Sequence, residues 1–148
     1  MTERVALITG GSRGIGAAVA EHLAAQGFDI AISYARSAAR AEELAAKSRK
    51  IGRQALTIQA DGATLDGNRA VIAQTIAHFG RLDVLVCNAG TYPHKNIEAV
   101  RIEDIEYTPN LNIRAVLVET HEAVQHMQTG GRIILMGSAF ARRAPFPA

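Results

Sequence analysis

Short apolar runs alternate with stretches of helical spacing along this chain. The runs are Val5–Ile8, Ile30–Ile32, Ala55–Ile58, Val84–Cys87 and Ile133–Met136. Most are apolar at consecutive rather than alternate positions, as expected of strands buried on both faces. Between them, Ile15, Val19 and Leu23 recur at helical spacing. So do Ile72, Ile76 and Phe79, and later Ile113, Val116, Leu117, Thr120, Val124 and Met127. The segment Ser37 to Ile51 is rich in the helix formers Ala, Glu and Lys. Gly27, Gly52, Gly80 and Gly130 stand near the predicted helix ends, where a left-handed residue is often needed. Repeated strand–helix units with short connections predict a parallel sheet. The fold class is therefore α/β, a doubly wound, Rossmann-like parallel sheet with five strands present. The tail from Ala141 to Ala148 carries two Arg and two Pro and reads as loop.

Such sheets bind ligands at the carboxyl ends of their strands. The first run is followed by Thr9-Gly10-Gly11-Ser12-Arg13-Gly14-Ile15-Gly16, which opens the first helix. A strand, a glycine turn and a helix N-terminus in that order can hold a phosphate. The first N–H groups of a helix are unpaired, and the helix dipole favours negative charge there. Glycines let the backbone turn sharply and come close to a pyrophosphate. The spacing of Gly10, Gly14 and Gly16 is G-x-x-x-G-x-G, which differs from the common G-x-G-x-x-G. A mononucleotide P-loop would need Lys and Ser or Thr where Ala17 and Ala18 stand. Alone, the loop also fits a tight turn that binds nothing. The other strand ends add to it: Tyr34–Arg36, Asp61, Asn88–Gly90 and Ser138 all follow predicted strands.

Composition narrows the setting. A length of 148 residues suits one domain with a core, and 48% apolar with 20% charged residues fits a globular protein. The net charge of +2 makes no strong case for nucleic acid or an anionic membrane. No apolar stretch is long enough to span a bilayer. The single Cys, Cys87, cannot form an internal disulfide, which points to a reducing, cytoplasmic compartment. His121 and His126 come near a zinc motif, but their spacing keeps them off one helical face.

These motifs together resemble the short-chain dehydrogenase/reductase family, in the manner of its 3-oxoacyl-(acyl-carrier) reductases. The resemblance runs in order through essentially the whole chain. It implies that Gly10, Ser12, Arg13, Gly14, Ile15 and Gly16 form a cofactor loop. It makes Asp61, with Gly62 beside it, the adenine contact, and Asn88-Ala89-Gly90 the family's N-A-G motif. Asn112 falls where the family keeps an active-site Asn, and Gly137-Ser138 where a strand delivers the catalytic Ser. Physical reasoning adds the choice of cofactor. An NAD site usually has an acid after the second strand, and an NADP site an Arg. Ile32 to Ser37 contain no acid, and Arg36 and Arg13 can offer planar cationic donors to a 2′-phosphate. NADP is therefore the expected cofactor, the competing reading being two solvated surface arginines.

The resemblance further implies carbonyl reduction or alcohol oxidation on a small-molecule substrate. Ser138 would polarise the carbonyl, Asn112 would serve a proton relay, and a Tyr-x-x-x-Lys pair would supply the proton. None of the chain's three tyrosines heads such a pattern: Tyr34, Tyr92 and Tyr107 lead to Ala38, Asn96 and Leu111. In the family that pair lies on the helix beyond the Ser, which here falls just past Ala148. The expectation is a single dinucleotide-binding domain over 1–148, incomplete at its C-terminus, whose full-length form is a homo-oligomer, dimer or tetramer. The alternative is a cofactor-binding pseudoenzyme or fragment without turnover. Pro109 predicts a kink in the helix before Asn112.

Overall fold

Strands β1 (Val5–Ile8), β2 (Asp29–Tyr34), β3 (Ala55–Gln59), β4 (Val84–Cys87) and β5 (Arg132–Leu135) form one parallel sheet in the order β3-β2-β1-β4-β5. This computed structural model describes residues 4–138, so the predicted loop at 141–148 lies outside the described residues. Helices α1 (Gly14–Ala25), α2 (Ala38–Lys50) and α3 (Leu65–Phe79) follow β1, β2 and β3 in turn. After β4 come a single 3-10 turn, α4 (Ile102–Pro109), a π-helical turn over Asn110–Arg114, and α5 (Ala115–Val124). Each predicted strand is present within a residue or two of its expected bounds. Among the described residues, no helix is long and apolar enough to cross a membrane.

Alternation along the strands divides the core in two. Ala6, Ile8, Ile30, Ile32 and Val86 pack with Ala20, Ala24, Ala41 and Leu44 of α1 and α2. Leu7, Ala31, Leu85 and Cys87 face the other way, onto Val71 and Ile72 of α3 and Ala123 of α5. Consecutive apolar residues are therefore needed, because each neighbour serves a different core. β5 differs from the central strands: it is a sheet edge, and Leu135 is 58% exposed.

Strand order fixes where a ligand can sit. From β1 the chain moves outward to β2 and β3, then returns to place β4 on the opposite side of β1. The connections after β1 and β4 leave in opposite directions, and a crevice opens between them at the carboxyl ends. The loop after β3 borders the same crevice and is built locally. Thr64 caps α3, its hydroxyl accepting from the Gly67 N–H at 3.0 Å and donating to the Asp61 carbonyl at 2.9 Å. Gly67 allows this closeness, since a Cβ there would stand 2.2 Å from the Asp61 oxygen.

We expect Thr64→Ala to lower stability by about 1 kcal/mol, the usual effect of losing an N-cap hydroxyl. Urea unfolding should show a lower midpoint with an unchanged slope.

Candidate cofactor-binding site

A cleft of about 770 Å³ lies at the carboxyl ends of β1, β2 and β4. Of the residues singled out in the sequence, Gly10, Ser12, Arg13, Gly14, Ile15, Arg36, Gly62, Asn88, Ala89 and Gly90 line it. Gly16, Asp61, Asn112 and Ser138 stand outside this lining. Gly16 is buried beneath the loop, where a Cβ would meet Asn88 Nδ2 at 2.4 Å. Asp61 lies past β3, and its Oδ1 accepts from the Ala63 N–H at 2.9 Å and the Tyr107 hydroxyl at 3.4 Å. The Asn112 amide clasps the backbone of Thr91, accepting from its N–H at 2.9 Å and donating to its carbonyl at 2.8 Å. Ser138 is exposed at the carboxyl end of β5, at the last described position.

The loop between β1 and α1 is shaped to receive an anion. No side chain caps the start of α1, and its first turn holds no acidic residue. The N–H of Ala17 already bonds back to the Arg13 carbonyl at 3.3 Å, so the unpaired donors are those ahead of it. Gly14 has φ of 57°, and a Cβ on it would meet nothing within 4 Å. Arg13, Arg36 and Arg40 are exposed and share the cleft wall. None of them enters an ion pair among the described residues. A bare helix start, a thin glycine backbone and three arginines suit an anionic nucleotide with more than one phosphate.

Sequence reasoning missed several members of this site. Ser33 Oγ accepts from the Gly10 N–H at 3.2 Å and so sets the start of the turn. Arg40, in the first turn of α2, joins the two arginines already expected. Tyr107 reaches the cleft from α4, and burial first, then the Asp61 carboxylate, pushes its phenol above the ordinary value. Asn68 and Glu119 also reach the wall from α3 and α5, and both are almost wholly buried. A signal existed for Asn68 alone, which precedes Val71 and Ile72 on an apolar stripe of α3.

Glu119 is 2% exposed and sits against Cys87 and Thr9. Burial pushes its carboxyl up to about 7, although hydrogen bonds from the Cys87 thiol and the Thr9 hydroxyl pull the other way. Burial and the nearby Glu119 in turn push the Cys87 thiol far up, so it stays protonated and inert.

The fold and the cleft are those of a doubly wound α/β protein of the Rossmann type. Residues 4–147 match the family model described as short chain dehydrogenase, and the chain belongs to that family. It is 43% identical over 141 residues to the hydroxynaphthalene reductase arp2 of Aspergillus fumigatus, covering 95% of this chain and 52% of that relative. A solved short chain dehydrogenase from Burkholderia cenocepacia, in complex with NADP, superposes with a TM-score of 0.94 at 44% identity, over 99% of this chain and 59% of that one. A blue fluorescent protein from a metagenomic library, in complex with NADPH, gives 0.92 at 43% identity, over 97% and 59%. The chain thus spans about half the length of the curated relatives it matches.

The raised carboxyl sets a pH dependence of stability. Between the ordinary value of 4.5 and about 7, the folded chain keeps a proton on Glu119 that the unfolded chain releases. Stability therefore falls as pH rises through that window, by at most about 3 kcal/mol. Glu119→Gln should escape this loss, so its urea midpoint should gain on the parent's from pH 4.5 to 7. A difference that stays constant with pH would sink the assignment.

Proposed function

We propose that the chain binds NADP(H) within an oxidoreductase that reduces the carbonyl of a small-molecule substrate, or oxidises the matching alcohol. One observation carries this reading: the uncapped start of α1 and the side chains of Arg13, Arg36 and Arg40 line the same cleft. The segment after β2, from Ala35 to Ser37, offers no carboxylate that would repel a 2′-phosphate. The neighbours solved with NADP and NADPH support that cofactor, and the relative named as a reductase supports the reaction class.

When bound, the cofactor supplies a hydride. The chain's own residues orient and bind. The backbone N–H groups at Gly14, Ile15 and Gly16 would take the pyrophosphate, and the arginines the 2′-phosphate. Asp61 and Gly62 would lie beside the adenine, and Asn88, Ala89 and Gly90 would floor the middle of the cleft. Ser138 would hydrogen-bond the substrate carbonyl oxygen. Asn112 would serve the proton path from the helix that fixes Thr91. Exposed Ile102, Ile105, Ile113 and Leu117 on α4, the π-turn and α5 support assembly as a homo-oligomer, a dimer or tetramer. The single Cys, buried at Cys87, supports a cytoplasmic setting.

A second reading is dinucleotide binding by this chain without turnover. Binding of NADPH with no oxidation in the presence of varied ketones and aldehydes would select it. The cofactor assignment is tested by Arg36→Asp. This change should weaken NADPH on the order of 100-fold while leaving NADH nearly unchanged, since it replaces a charge-assisted bond by a repulsion. Equal losses for both cofactors, in fluorescence titration, would remove the 2′-phosphate role.

A further inference from the structure

Asn68 lies on α3 one turn before Ile72, on the face packed against the sheet. It is 0% exposed, and neither Oδ1 nor Nδ2 has a hydrogen-bond partner. A buried carboxamide with both ends unmet destabilises a fold, so a group that satisfies it is expected to exist. Asn68 is part of the cleft wall, at the end bordered by Gly62, Val71 and Leu111. A Cβ on Gly62 would stand 3.8 Å from Asn68 Oδ1 and 2.8 Å from Leu111 Cδ1. The space over Gly62 therefore joins a thin backbone, apolar side chains and an unmet donor–acceptor pair. Asp61 borders this space as well, its Oδ1 accepting from the Ala63 N–H and the Tyr107 hydroxyl.

The ligand chemistry follows from these parts. Apolar walls suit the faces of a flat ring, and a carboxamide pairs with an edge that carries a donor beside an acceptor. An Asn side chain meets adenine in that bidentate way. We propose that Asn68 reads the N6/N7 edge of a 6-aminopurine base seated over Gly62. The inference rests on the dinucleotide reading above and assigns the residue that recognises its base. Leu111, 7% exposed, occupies the same space and would have to turn aside for the base to enter. A site built to hydrogen-bond a group rejects ligands that lack it, because its own polar atoms are then left unpaired.

The test uses three probes on the purified chain. They are NADP, its 1,N6-etheno derivative, which lacks the N6–H donor, and 2′,5′-ADP, which has the base and phosphates without nicotinamide. The parent should prefer NADP to the etheno derivative by about tenfold or more, the discrimination of one bidentate pair. Asn68→Leu should lose about tenfold for NADP and 2′,5′-ADP, leave the etheno derivative unchanged, and melt at a higher temperature. Asn68→Ser should show the same pattern of affinities, which guards against overpacking by the larger side chain. Equal affinity of parent and both variants for NADP would overturn the inference. So would a parallel loss for all three probes with a lower melting temperature, which marks a merely structural role. Binding of 2′,5′-ADP with the expected Asn68 dependence, but no binding of NADP, would leave this inference standing and defeat the dinucleotide reading instead.

Discussion

Thr9 and Asn88 tie the loop after β1 to the loop after β4. The Asn88 amide donates to the carbonyls of Thr9 and Gly10 at 3.0 and 3.1 Å. The Thr9 hydroxyl accepts from the N–H groups of Asn88 and Ala89, both at 3.2 Å. Its own proton is left for Glu119 or for the Val86 carbonyl at 3.5 Å. This knot sits at the point where the sheet order reverses, and it dictates most of the glycine pattern. Gly10 has φ of 62°, and a Cβ there would stand 2.9 Å from the Ala89 Cα. Gly16 must admit the Asn88 amide, which a side chain would displace. Of the spaced glycines, Gly14 alone faces open space within 4 Å. Gly10 and Gly16 thus serve the tie between loops, while Gly14 leaves the backbone open toward the cleft.

A second constraint comes from Pro109. Lacking an N–H, it cannot complete the bond to the preceding turn, and its ring crowds that turn. The chain answers with the π-turn over Asn110–Arg114, in which the Ala115 N–H reaches the Asn110 carbonyl. The kink expected from the sequence is thus absorbed as one wide turn. That turn carries three contacts to the cleft's rim. Leu111 projects over Gly62, Asn112 clasps Thr91, and Arg114 donates to the Ala63 carbonyl. The loops after β3 and β4 are therefore set by one short segment, as those after β1 and β4 are set by Thr9 and Asn88.

The strands were legible because most residues of β1, β2 and β4 serve one of two cores, which forces runs of consecutive apolar letters. The capping role of Gly80 was legible too, since its φ of 73° asks for glycine. The buried face of α5 was not. The apolar stripe includes Ile113, Leu117 and Val124, which are 61%, 66% and 50% exposed. The buried stripe is Ala115, Glu119 and Ala123. Close packing on β4 and α3 selects small residues, so the larger apolar letters fall on the outer face. In the cleft, the glycine loop and Arg36 follow from position after a strand. Ser33 and Arg40 were hidden, since nothing periodic marks a residue whose partner lies far along the chain.

Where the fold tolerates buried polarity is itself informative. Ser48 and Thr75 are buried, but each returns its proton to its own helix, to the carbonyls of Leu44 and Val71. Asp29 accepts from the Gln54 N–H at 2.7 Å, and Ser33 and Thr9 are occupied by the loops. These groups follow the rule that interior polar atoms are matched. Arg114 Nε and Thr120 Oγ1 break it at single atoms; Asn68 has no partner for either end of its amide, and Glu119, though bonded to Cys87 and Thr9, holds a proton against its ordinary preference. Asn68 and Glu119 lie on helices that pack against each other, α3 and α5, and both reach the wall of the same cleft. A destabilising choice scattered through the core would read as drift. Two such choices at one wall read as demands of the site, because local departures from a satisfied core gather where a ligand completes it.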